Sequence, residues 1–167
     1  MELNEMKKEL FYEPKHAMET VDEAVVKSAD DFCEGYKKYL DFAKIERESV
    51  EFFVAEAEKR EYEEFDNTKK YNAGDKVYYN NRGKAIILCV IGKKDIAEGV
   101  KISAAHIDSP RLDLKPNPLY EDSNLAYFKT HYYGGIKKYQ WTAIPLALHG
   151  VVVKANGKKE ILSINIK

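Results

Sequence analysis

The chain has 167 residues, 44% of them hydrophobic and 33% charged, enough for one sizeable core or a core with a small appendage. Its 27 Lys and Arg balance 28 Asp and Glu, and the net charge of -1 gives no electrostatic basis for binding nucleic acid or an acidic membrane. Residues 1–13 are charged and lack the apolar stretch of a signal peptide, and no run approaches transmembrane length, so a soluble, cytoplasmic protein is expected.

Helical patterning comes first. Val21, Ala24, Val25, Ala29, Phe32, Tyr36 and Leu40 recur at helical spacings, with Thr20 or Asp22 available as N-cap and Gly35 as an interruption. A second helix is predicted over about 47–59, with Val50, Phe53, Val54 and Ala57 on its apolar face. Glu46, Glu48 and Glu51 there suit the positive end of the helix dipole. Residues 61–72 are polar, lack periodicity and read as a connection.

After Gly74 the pattern turns to strands. Residues 76–79 and 84–91 form a predicted hairpin about the turn Asn80-Asn81-Arg82-Gly83. The second strand is a continuous apolar run, which predicts burial on both faces and makes Cys89 a small buried hydrophobe. Residues 100–106 read as another buried strand. Residues 111–114 alternate until Pro116 and Pro118 stop them, and 125–133, 144–154 and 160–166 are further strands, the last two joined at Asn156-Gly157. Helices followed by strands argue an α+β to α/β architecture with a mixed sheet. Cys33 and Cys89 lie far apart, imply no disulfide framework and fit a reducing compartment.

The segment Ser103-Ala104-Ala105-His106-Ile107-Asp108-Ser109-Pro110 carries the most chemical information. In an extended chain residues i and i+2 project to one side, so His106 can offer a ring nitrogen to a metal while Asp108 fixes the imidazole or neighbours the same metal. The competing reading is a strand-end His and Asp bonded to a loop. His131, before Gly134-Gly135, either lines a site or is a half-buried strand-end histidine; His149 reads as packing, and His16 as solvated. Lys137-Lys138-Tyr139-Gln140-Trp141 mixes basic and aromatic residues as single-strand binders do, but a neutral chain argues against that role. Neither a phosphate loop nor a Gly-x-Ser-x-Gly elbow is present, and Cys33 and Cys89 are poor nucleophile candidates.

Several blocks in order resemble the aspartyl aminopeptidase and aminopeptidase I family of zinc metallopeptidases, most closely its bacterial branch. They are Ala104-Ala105-His106-Ile107-Asp108-Ser109-Pro110-Arg111-Leu112-Asp113-Leu114-Lys115-Pro116, then Tyr132-Tyr133-Gly134-Gly135-Ile136 and Pro145-Leu146-Ala147-Leu148-His149-Gly150. Val77-Tyr78-Tyr79-Asn80-Asn81-Arg82-Gly83-Lys84 and Ile45-Glu46-Arg47-Glu48 also fit. The resemblance implies the start of a phosphorylase/hydrolase-like zinc-exopeptidase fold. Residues 1–128 are then the N-terminal part of the catalytic domain, and 129–167 the truncated start of a β-rich dimerisation or oligomerisation insertion.

The function it implies is a two-zinc aminopeptidase that removes N-terminal residues from peptides and assembles as a homo-oligomer, with no nucleic-acid or membrane partner. His106 matches a zinc ligand and Asp108 the catalytic carboxylate that supports it; no substrate-binding residue is assigned. In the family the bridging Asp, the general-base Glu, another carboxylate ligand and a late His follow further along. This chain is therefore expected to bind zinc at most partially and to be inactive alone. The alternative is a non-catalytic assembly or regulatory module that keeps the family fold.

Overall fold

A computed structural model describes residues 3–12 and 14–166. The chain divides into two compact units, Met1–Leu40 and Asp41–Lys167.

The first unit holds α1 (Leu3–Leu10), α2 (Ala17–Thr20) and most of α3 (Glu23–Phe42). The apolar stripe read from the sequence lies on α3, except that Val21 closes α2 instead. Of the two candidate N-caps the structure uses Asp22, whose Oδ1 accepts from the Val25 N–H at 2.9 Å. The Thr20 hydroxyl turns back to the Ala17 carbonyl. His16 is exposed, as expected, and its Nδ1 accepts from the Met18 N–H at the start of α2.

The second unit is built on α4 (Glu46–Lys59) and a sheet of β1 (Glu63–Glu64), β2 (Lys76–Asn81) and β3 (Ala85–Val90). The sheet is mixed: β1 runs parallel to β2, and β3 antiparallel to it. Two residues of the polar connection at 61–72 thus become an edge strand. Arg82 (φ 58°) and Gly83 (φ 68°) supply consecutive positive φ angles at the β2–β3 turn, and the Asn80 Oδ1 accepts from the Gly83 N–H at 2.7 Å. The helix α4 packs on β2 and β3. The buried residues there are Ala43, Ser49, Val50, Ala57, Val77 and Tyr78, and the Tyr78 hydroxyl is 3.0 Å from Glu58 of α4. Fully burying a side chain such as Val50 contributes about 1.5–3 kcal/mol.

The expected burial of β3 on both faces does not occur. Ile87, Leu88 and Val90 are exposed, and so is Cys89, which is not the buried hydrophobe its neighbours predicted. Continuous apolar patterning reports what a strand can bury, whereas burial needs a second layer, and the described residues put a helix on one face only. Cys33 and Cys89 are both free and exposed.

A second correction concerns 100–106. These residues form no strand; they are irregular backbone after a 3-10 turn at Ile96–Glu98. A strand exists only through its ladder, and among the described residues no neighbour pairs with this segment. A third concerns the prolines. The strand β4 (Arg111–Asp122) runs through Pro116 and Pro118 and pairs antiparallel with β5 (Leu125–Tyr133). Its register shifts between Leu114, opposite Thr130, and Leu119, opposite Phe128, so both prolines fall in the bulge, where no ladder bond requires their missing N–H. Ser123 (φ 53°) and Asn124 (φ 62°) close this hairpin. After a short helix α5 (Lys138–Trp141) come β6 (Leu146–Val153) and β7 (Lys159–Ile166), a hairpin turned at Gly157 (φ 80°) as Asn156-Gly157 predicted.

Candidate functional site

The side chains singled out at 106 and 108 meet. The His106 Nδ1 lies 3.0 Å from the Asp108 carbonyl oxygen and 3.2 Å from its Oδ1. Both partners are acceptors, so Nδ1 is the donor, and in the neutral ring the lone pair then lies on Nε2. The His106 side chain is 84% exposed and that of Asp108 only 21%: the carboxylate belongs to the protein body and the ring extends from it into solvent.

The aspartate is held from several directions. On one side the backbone is tied to the start of α4 and to the segment leading into it: the buried Ser49 donates its hydroxyl to the Ile107 carbonyl at 2.8 Å, and Ser109 donates to the carbonyl of Lys44, before the helix, at 3.1 Å. The two anchors flank Asp108. On the other side, Arg111 at the start of β4 reaches the Asp108 Oδ2 at 3.4 Å and donates from Nε to Asp113 at 2.7 Å. The β4–β5 register puts Tyr133 opposite Arg111, with the guanidinium 4.5 Å from the tyrosine ring centre. Gly134, with φ 77°, lets β5 end against Pro110, where an added Cβ would come within 3.3 Å of the Pro110 Cα.

These contacts set the charge states. Desolvation pushes the Asp108 carboxyl up, but hydrogen bonds from Tyr133, from its own backbone, from Arg111 and from His106 together outweigh it and hold the group below the usual carboxylate value. The Tyr133 phenol is raised in turn, first by its hydrogen bond to Asp108. For Arg111, desolvation is outweighed by Asp113 and Asp108, and its charge is reinforced. An ionised aspartate bonded to Nδ1–H keeps Nε2 available as a ligand atom, the arrangement by which a carboxylate sets a zinc-binding imidazole.

Zinc takes three or four nitrogen, oxygen or sulfur donors from a protein. The donor chemistry of His106 fits one of them. Among the described residues no group of three His, Cys, Asp or Glu side chains gathers to supply the rest. His131 takes no part: it is exposed rather than half-buried, opposite Asp113 in the β-ladder and stacked on Tyr132. His149 is packed, as expected, but it also has a polar partner, Glu48, at 2.8 Å. The sequence assigns Glu48 a role only in the helix dipole, and assigns none to Arg111, Tyr133, Ser49 or Ser109. Arg111, Tyr133, Ser109 and Glu48 lie inside motifs singled out in the sequence, whereas Ser49 carries no such signal.

The match to known proteins defines the class. A family described as aminopeptidase I zinc metalloprotease (M18) covers residues 39–167. A probable M18 family aminopeptidase 1 from Clostridium acetobutylicum is 47% identical over 156 residues, which are 91% of this chain and 34% of that protein. The crystal structure of aminopeptidase I from Borrelia burgdorferi superposes with a TM-score of 0.81 at 38% identity, covering 89% of this chain and 37% of that one. An M18 aminopeptidase structure from Thermotoga maritima gives 0.79 at 38% identity, covering 92% and 33%. The chain belongs to the M18 aminopeptidase family, a family of hydrolases, and its helices and mixed sheet match part of the aminopeptidase I fold. It spans about a third of the length of the relatives it matches. Among the described residues no helix is long and apolar enough to cross a membrane.

Proposed function

We propose that this chain supplies the first metal-binding element of a zinc-dependent aminopeptidase that removes N-terminal residues from peptides in the cytoplasm. His106 is the ligand and Asp108 its orienting carboxylate. The observation that carries the reading is the pairing of an exposed imidazole, through Nδ1, with a half-buried aspartate held below the usual carboxylate value, in a chain of this family. When bound, zinc supplies Lewis-acid polarisation of the scissile carbonyl and activation of water near neutral pH. The chain's own residues do the preparatory work: Asp108 fixes the ring, Arg111 and Tyr133 keep Asp108 ionised, and Ser49 and Ser109 fix the backbone on either side.

In this reading residues 1–128 belong to the catalytic domain. Residues 129–167 begin a β-rich insertion through which copies of the protein assemble, and the exposed apolar side chains it carries, among them Tyr132, Val152 and Ile161, suit such a contact. A site of two zinc ions needs donors beyond His106, so the 167-residue chain alone should not turn over aminoacyl reporters.

The test is made in the full-length protein. His106→Ala should lose bound zinc by elemental analysis and lower turnover at least about 100-fold, since removing even an outer partner of a ligand costs about 10–100-fold. His131→Ala should retain both. Equal zinc content in His106→Ala and wild type would sink the assignment and favour a non-catalytic assembly module with the same fold.

A further inference from the structure

One hydrogen-bonded chain runs from β6 to the loop that carries Asp108. It starts at His149, whose Nδ1 is 2.8 Å from the Glu48 Oε1. The two side chains are 16% and 13% exposed, so the pair is largely withdrawn from solvent. Glu48 is the third residue of α4, and its other oxygen, Oε2, accepts from the Lys44 N–H at 2.8 Å. This resembles a capping box in which the glutamate reaches one residue beyond the N-cap, Ile45, which has no side-chain cap of its own. The Lys44 carbonyl then accepts the Ser109 hydroxyl, while Ser49, next to Glu48, holds the Ile107 carbonyl. Both neighbours of Asp108 are thus fixed by the turn of chain that Glu48 shapes.

The choice of residue types supports a purpose beyond packing. His149 interrupts an apolar run on β6, where a Leu or Val would avoid burying a polar group, and the sequence predicted packing for that reason. Glu48 needs only one oxygen to cap α4; the second is turned toward β6. Lys44 and Ile45 just before α4, the start of β4, and β6 also line one groove of about 460 Å³ that includes Ser109, Arg111 and His149, so the segment leading into α4, β4 and β6 converge where the chain of bonds runs.

We propose that Glu48 and His149 are a positioning pair for the Asp108 loop. They transmit the placement of β6 through Lys44 and Ser109 to the carboxylate that orients His106. This inference rests on the metal-ligand reading of His106 for its consequence but not for its structural content, and the experiment separates the two. In the full-length protein, His149→Leu, His149→Asn and Glu48→Met are compared with wild type. Asn offers an amide N–H close to where the His149 Nδ1 stands; Leu offers none. Hydrogen exchange of peptides covering 105–110 is measured by mass spectrometry, and zinc affinity by competition with a chelator.

The expected result is faster exchange over 105–110 and zinc affinity weakened about tenfold in His149→Leu and Glu48→Met, the low end of the range for outer partners of a ligand. His149→Asn should stay close to wild type in both. Wild-type exchange over 105–110 in the Leu and Met variants would overturn the proposal, and so would an Asn variant as impaired as the Leu variant. If His149→Leu does not fold, the contrast between Glu48→Met and His149→Asn decides by the same criteria. Faster exchange over 105–110 with unchanged zinc affinity would uphold the positioning pair and remove the metal-ligand reading of His106.

Discussion

Residues 100–106 and 107–114 are adjacent, and both lie in the part of the sequence with the densest pattern, yet the structure treats them oppositely. The first stretch is apolar and unpaired, with Val100 and Ile102 exposed and the His106 ring in solvent. The second is bound on one side to α4 through Ser49 and Ser109 and on the other to Arg111 and Tyr133. The difference separates an exposed imidazole from the anchored carboxylate it bonds. Orientation of the imidazole is complete within the described residues. Around it, no group of three His, Cys, Asp or Glu side chains gathers among those residues.

The anchored stretch is most sensitive at Gly134. Its positive φ and its close approach to Pro110 mean that Gly134→Ala combines left-handed backbone strain of about 1–2 kcal/mol with a displaced β5 end. We expect a lower denaturation midpoint and a changed chemical shift for the Tyr133 ring; an unchanged midpoint would show that the β5 end is loosely placed. A smaller loss, about 1 kcal/mol, is expected for Ser49→Ala, which leaves the Ile107 carbonyl without its buried donor. The matched control is Ile102→Ala in the unpaired stretch, expected to lie within about 0.5 kcal/mol of wild type. Equal losses at Ser49 and Ile102 in urea titrations would erase the distinction between the two stretches.

The smallest effect is the pH dependence. The Asp108 carboxyl is lowered by folding, so its contribution is fully present above the unfolded value of about 3.9 and is lost as pH falls through the lower folded value. The carbon shift of the Asp108 carboxyl should therefore titrate below the ordinary aspartate range. In Asp108→Asn the stability lost below about pH 4 should shrink. A titration midpoint at or above the ordinary value would mean that burial, rather than the hydrogen bonds from Tyr133, Arg111 and His106, governs this group.

Much of the fold was legible because it rests on local rules. The helical period of Val50, Phe53, Val54 and Ala57 gave α4, Asp22 capped α3, and the Asn- and Gly-bearing turns closed β2–β3 and β6–β7. The meeting of His106 and Asp108 was legible for the same reason, since two residues apart in an extended chain lie within reach. The misreadings have a common origin. Apolar runs at 84–91 and 100–106 state a capacity for burial and pairing, and that capacity is realised only where another layer or strand is supplied. Pro116 and Pro118 looked like stops because the position of a bulge depends on the register with β5.

The sequence by itself determined α3 and α4, the β2–β3 and β6–β7 turns, the family and the His-Asp pair, because each depends on residues close in the chain or on motifs that stand in order. Only the tertiary structure decided that Asp108 is gripped from α4, β4 and β5, and that Glu48 and His149, 101 residues apart, form one pair. Those contacts are set by how α4 and β6 pack, and packing partners distant in sequence leave no periodicity in the chain from which they could be read.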